Sequence, residues 1–171
     1  MIPLFLGLSL VNLLCLCVAA WLGYNHHRSM HVLAGALATL VCCGVHCVVF
    51  TYFIATAKWV QHAVLVKRLD PALVVPTRSF KIQAFPGALL AMGSVFLAAV
   101  LGAARDNEMI RPTWHWLPAL LAIGVNVAVV FIEYRAIARN GRLIDQILAK
   151  VATIDAPTRA GEHSSTQTPP S

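Results

Sequence analysis

His31–His62, HVLAGALATLVCCGVHCVVFTYFIATAKWVQH, decides the fold. No Asp, Glu, Lys or Arg occurs in it before Lys58. An apolar helix of about 20 residues already crosses the ~30 Å hydrocarbon core of a bilayer, so this stretch is long enough to span one. His31 and His62 stand at its ends and His46 inside. An ionisable side chain in hydrocarbon is costly and marks a place to look for function.

Three more apolar runs of spanning length flank it. Residues 2–22 form the first. This run lacks a basic leading region and is too long for a signal-peptide core, so it is expected to be retained. A short connection, GYNHHRSM, leads to the second span at residues 31–58, which is expected to continue out of the membrane to about Arg68. Asp70-Pro71 and Val75-Pro76 interrupt the chain, because proline lacks a donor and restricts the residue before it. Pro86 is a natural helix start, which sets the third span at residues 86–104. The fourth, residues 115–134, opens with Trp114-His115-Trp116.

Beyond it, residues 135–154 carry an apolar stripe of Ile137, Ile144, Ile147, Leu148 and Val151. This amphipathic extension is expected to lie on the membrane surface or against a partner. Asn140-Gly141 is expected to interrupt it. Residues 155–171 are polar and rich in Ser, Thr and Pro, the composition of a disordered tail. The fold expected is thus all-α: a four-helix transmembrane bundle over residues 1–154, with a C-terminal amphipathic helix and a disordered tail.

Composition agrees. The 171 residues are 58% hydrophobic and 12% charged, against about a quarter charged in a soluble domain. The net charge of +6 does not point to nucleic acid, because the basic residues flank membrane segments and act there on topology. Ten of the 13 lysines and arginines fall in the connection between spans two and three or after span four. Only Arg28, Arg105 and Arg111 fall at the opposite end. That asymmetry predicts cytoplasmic termini, in a multi-pass protein of the bacterial inner membrane type. His31 and His115 then lie on the outer side.

Cys15, Cys17, Cys42, Cys43 and Cys47 all lie within predicted spans. With no CxxC and no loop cysteine, neither a disulfide framework nor a thiol relay is expected. Soluble-enzyme motifs such as GxSxG, the P-loop, GxGxxG and HExxH are absent from the sequence, so the chain does not read as an enzyme on its own.

A b-type haem in a helical bundle needs axial side chains on facing helices at one depth. His31 opens span two and His115 opens span four, so the two match in depth. His46 follows His31 by fifteen residues, which is about 60° around the helix and about 22 Å along it. This spacing resembles that of di-haem cytochrome b proteins, in which one helix carries a ligand for each of two stacked haems. The resemblance covers only the spacing. A second haem at His46 would need a ligand level with it, and Met92 is the candidate, since Met/His ligation occurs.

Two other readings stand beside this one. His27 and His31 at i and i+4, with His26 or His115, are a possible zinc or copper set; Cys42, Cys43 and Cys47 around His46 are a possible Cu(I) set. In the cofactor-free alternative, Asn12, His46 and Asn126 only fix helix register through interhelical hydrogen bonds. Glu133 is the one carboxylate near a span, and a plain ion pair with Lys58 is expected for it. The function expected is that of a small integral membrane subunit in a respiratory-type assembly. Haem b would sit on His31 and His115, with His46 and Met92 at a second position. Its partners would be the bilayer, other subunits and a quinone. The alternative is a structural or assembly protein.

Overall fold

The computed structural model describes residues 1–25, 28–107, 109, 111 and 113–165. Four helices account for nearly all of them: α1 (Ile2–Tyr24), α2 (Arg28–Val66), α3 (Val75–Asp106) and α4 (Thr113–Ser165). A single 3-10 turn, Pro71–Val74, joins α2 to α3. All four helices are long and apolar enough to cross a membrane. Their outward faces carry large apolar side chains, among them Leu6, Leu10, Leu14, Leu40, Leu90, Phe96, Leu120 and Phe131. In water such a surface would be a liability; in lipid it is the solvated face. The chain is an integral membrane four-helix bundle.

Packing follows the chain around a ring: α1 against α2, α2 against α3, α3 against α4, and α4 back against α1. α2 and α4 also touch across the short diagonal. The α1–α2 and α3–α4 connections lie together at one end, called here the hairpin end. Tyr24 and Trp116 meet there edge to face, with ring centres 6.2 Å apart. Such amphipathic rings favour the membrane interface.

Helix lengths of 23, 39, 32 and 53 residues correspond to about 34, 58, 48 and 80 Å. Only α1 matches the ~30 Å hydrocarbon thickness. The other three run on past the start of α1 as a three-helix extension. Its core continues from Phe5, Val49 and Phe53 to Val60, Val64, Phe80, Leu143 and Ile147.

This changes three expectations. The apolar stripe of the α4 extension is in part core of the same chain: Ile137 and Ile147 are buried against α2 and α3, while Leu148 stays exposed. Asn140-Gly141 does not interrupt α4. The Asn140 amide donates instead to Thr56 Oγ1 at 2.9 Å, so it has a partner on α2 and does not compete for its own backbone. Finally, Pro86 does not start the third span but lies inside α3. It removes one backbone bond, at a cost of about 3 kcal/mol in a free helix. Ala84, Ala88 and Ala91, all fully buried around it, hold the helix in place through close packing with its neighbours. The tail expected from residue 155 begins inside α4 and continues beyond the described residues.

The breaks at the prolines are found as expected. α2 ends in a Schellman arrangement: Arg68 takes a left-handed φ of 50°, and Leu69 N–H donates to the Val64 carbonyl at 3.0 Å. Asp70 then accepts from Ala72 N–H at 2.8 Å and caps the 3-10 turn. At the far end of the extension, Lys67 Nζ reaches Asp155 at 2.6 Å and 2.9 Å. The pair is one-third exposed, so it orients α4 there more than it stabilises it.

Candidate functional site

The polar side chains of the bundle interior gather along the α2–α4 diagonal. Cys42 Sγ donates to Asn126 Oδ1 at 3.4 Å, and Asn140 donates to Thr56, each pair separated by 84 positions. His31 and His115 have the same separation. α2 and α4 are therefore parallel and in constant register. From the hairpin end, the seam reads His31 with His115, Cys42 with Asn126, His46 with Glu133, then Thr56 with Asn140. Asn12 of α1 joins the second level, donating to Asn126 Oδ1 at 3.0 Å.

At the first level the His31 and His115 rings meet edge to face, centres 5.7 Å apart and planes at 69°. His31 Nδ1 lies 2.8 Å from the Ala19 carbonyl. A carbonyl only accepts, so Nδ1 carries the proton and a neutral ring keeps its lone pair on Nε2. Metal-ligating histidines have this arrangement, with the second nitrogen donating to a carbonyl or carboxylate. The ring spacing can be tested against a shared metal. With metal–nitrogen bonds of about 2.0–2.1 Å, two imidazole centres on one ion lie about 5 Å apart at a tetrahedral angle and about 6.3 Å apart when trans. The observed 5.7 Å lies between these values and short of the trans spacing, so the rings would have to move apart to become the two axial ligands of a haem.

Glycine gives both rings their space. A Cβ at Gly23 of α1 would lie 2.8 Å from His31 Cε1, and one at Gly102 of α3 would lie 3.0 Å from His115 Cε1. Each imidazole thus sits against a backbone of the neighbouring helix. Because His31 is also held by Ala19, its ring cannot simply swing away. Gly23→Ala is therefore expected to destabilise the fold by about 1–3 kcal/mol, the usual range for overpacking. A thermal melt of the purified variant against the parent protein reads this directly.

At the third level His46 Nδ1 and Glu133 Oε1 are 2.9 Å apart. Their exposures are 1% and 0%. Here the structure overturns an expectation: Glu133 pairs with His46 and not with Lys58. Register explains the difference. By the 84-residue offset Glu133 is level with Val49, about 13 Å along the helix from Lys58. Among the described residues the remaining atoms of the pair, His46 Nε2 and Glu133 Oε2, have no hydrogen-bond partner, nor do Ser9 Oγ and Asn12 Oδ1; all four are buried.

The other sequence candidates are placed differently. Met92 packs against the cluster of Leu16, Ala19, Ala38, Cys42, Val95 and Ala122. Gly87 of α3 touches Val129 of α4, which fixes the register of these antiparallel helices and sets Met92 about 9 Å, nearly two turns, from the level of His46. Cys42 is buried and bonded to Asn126, whereas Cys17 and Cys47 are exposed. Among the described residues, no three of His, Cys, Asp and Glu gather as a metal site. His26 and His27 lie outside the described residues.

Three contributors escaped the sequence reading: Gly23, Gly102 and the Glu133 partnership. The glycines looked like ordinary loop and helix glycines. Glu133 follows an apolar run so closely that it read as an interfacial charge. No protein-family model, curated protein or solved structure matches the chain.

Proposed function

We propose that this protein is a small integral membrane haem-b protein that carries electrons within the bilayer, with His31 and His115 as the axial ligands. One observation carries the reading: two imidazoles at one depth on facing helices, ring centres 5.7 Å apart, one of them with Nδ1 held by a backbone carbonyl. Bound haem iron would supply reversible one-electron chemistry. The chain's own part is to hold and tune. The Ala19 carbonyl fixes the His31 tautomer and raises the basicity of Nε2. Gly23 and Gly102 let both rings lie deep between helices. Tyr24 and Trp116 stand at the hairpin end of the site. The proposal covers one haem; His46, engaged by Glu133, is not assigned a ligand role.

The basic residues orient the molecule. With ten of 13 lysines and arginines away from the hairpin end, the positive-inside rule puts both termini in the cytoplasm and the His31–His115 pair near the outer surface. The electron partner proposed is a membrane quinone or a neighbouring subunit. A second reading, a cofactor-free structural or assembly protein, is favoured by the Asn12–Asn126 and Thr56–Asn140 bonds, which register helices whatever else is bound.

Haemin titration into the detergent-purified, haem-free chain separates the two. The haem reading predicts saturation at about one haemin per chain, with a low-spin spectrum. Absence of saturable binding in folded protein contradicts it and leaves the structural reading.

A further inference from the structure

We propose that His46 and Glu133 form a proton-binding site in the membrane interior. The pair shares one proton across the 2.9 Å contact between Nδ1 and Oε1. In that state imidazole plus carboxylate carries one net negative charge, fully buried. Among the described residues the ion-pair partner of Glu133 is His46 alone. A lone net charge in a low-dielectric interior is strongly disfavoured. A second proton, taken from water, removes it. That proton bonds either to His46 Nε2, giving imidazolium and carboxylate, or to Glu133 Oε2, giving imidazole and carboxylic acid. These are the two atoms of the pair that are buried without partners. The net reaction is addition of one proton, with no oxidant or reductant.

Further polar side chains stand on one side of the pair. Cys42, Asn12 and Asn126 form one level, and Ser9 stands one turn along α1 from Asn12, level with His46. Ser9 Oγ and Asn12 Oδ1 are also buried without partners. Four such atoms within about 10 Å along the bundle call for internal water, because buried polar groups are almost always bonded to protein or to water. Beyond this level toward the hairpin end the core holds Leu16, Ala19, Ala38, Val95 and Ala122, with Met92 and Ile123 packed against them. Toward the opposite end Phe5, Val49 and Phe53 close the interior. The titratable groups near the pair are Cys42 and Tyr52 on α2. α1 faces it with Phe5, Ser9 and Asn12, and α3 with Ala84, Ala88 and Ala91, none of which titrates. The site stands independently of the haem proposal, since it uses none of the same residues.

Infrared and 15N NMR spectra of histidine- and glutamate-labelled protein in lipid nanodiscs test this. The Glu133 signal is assigned by its loss in Glu133→Gln, and that of His46 by its loss in His46→Gln. At pH 7.5 the pair is expected to show either imidazolium or carboxylic acid, and that proton is expected to exchange with deuterium from D2O within minutes. A neutral imidazole beside an ionised carboxylate at pH 7.5 overturns the proposal. So does a proton that survives hours in D2O.

Discussion

His31→Ala and His115→Ala are each expected to abolish haem binding. On the proposed reading both rings hold one iron, so removing either leaves one axial nitrogen and a void beside it. Changes to residues that only support a ligand typically cost 10–100-fold in metal affinity; loss of a ligand costs more. The purified variants are therefore expected to be colourless after washing, whereas the parent holds about one haem per chain. Specificity of the effect rests on two controls. His62→Ala removes an exposed histidine far along α2 and leaves the haem content unchanged. His46→Gln changes the third level of the seam and also leaves it unchanged. Haem quantitation per chain, with circular dichroism to confirm helical content, measures all four. Retention of a full complement in His31→Ala or His115→Ala removes that residue from the ligand assignment.

Glu133→Ala destabilises the bundle by about 3–5 kcal/mol, the range found when one partner of a buried ion pair is removed. The size of this effect discriminates between two descriptions of the pair. An ordinary interhelical hydrogen bond in a membrane protein averages about 0.6 kcal/mol and reaches about 1.7. Glu133 and His46 are both fully buried, and each already has one atom without a partner. Truncating one therefore strands the other and opens a cavity where the carboxylate stood. Glu133→Gln keeps volume and one acceptor, and is expected to cost much less. The double replacement His46→Leu with Glu133→Leu removes both polar groups, and replacing a buried pair by apolar residues is often neutral. It is expected to recover most of the loss. Reversible unfolding in mixed micelles gives the ordering. A Glu133→Ala cost below about 1 kcal/mol would show that the contact is an ordinary hydrogen bond and that no charge is buried.

The four membrane helices were legible in the sequence for a physical reason. In lipid the backbone must satisfy itself, so length and hydropathy leave little choice but a helix. The breaks at Asp70-Pro71 and Val75-Pro76 were legible for the same kind of local reason. Pro86 misled because a proline that starts a helix and one inside a packed membrane helix look alike locally. The difference lies in Ala84, Ala88 and Ala91, whose burial is a property of neighbouring helices. The stripe on the extension of α4 announced an apolar partner, and Ile137 and Ile147 find theirs within the same chain.

His31 and His115 were found by depth alone, since both open spans on the same side. Glu133 was misassigned because depth was judged from the end of the apolar run. The register that corrects it, a constant 84 residues between α2 and α4, is present in the sequence as His31–His115, Cys42–Asn126 and Thr56–Asn140. It becomes visible only once those two helices are known to be parallel and in contact. Gly23 and Gly102 could not be singled out, because nothing in one helix shows that an imidazole of the next lies against its backbone.

The central claim is that His31 and His115 hold a haem iron between them. A reduced-minus-oxidised visible spectrum, with pyridine haemochrome quantitation, of protein purified from cells able to make and insert haem tests it most directly. The account predicts a sharp α-band and about one b-type haem per chain. A folded, colourless preparation from such cells contradicts it.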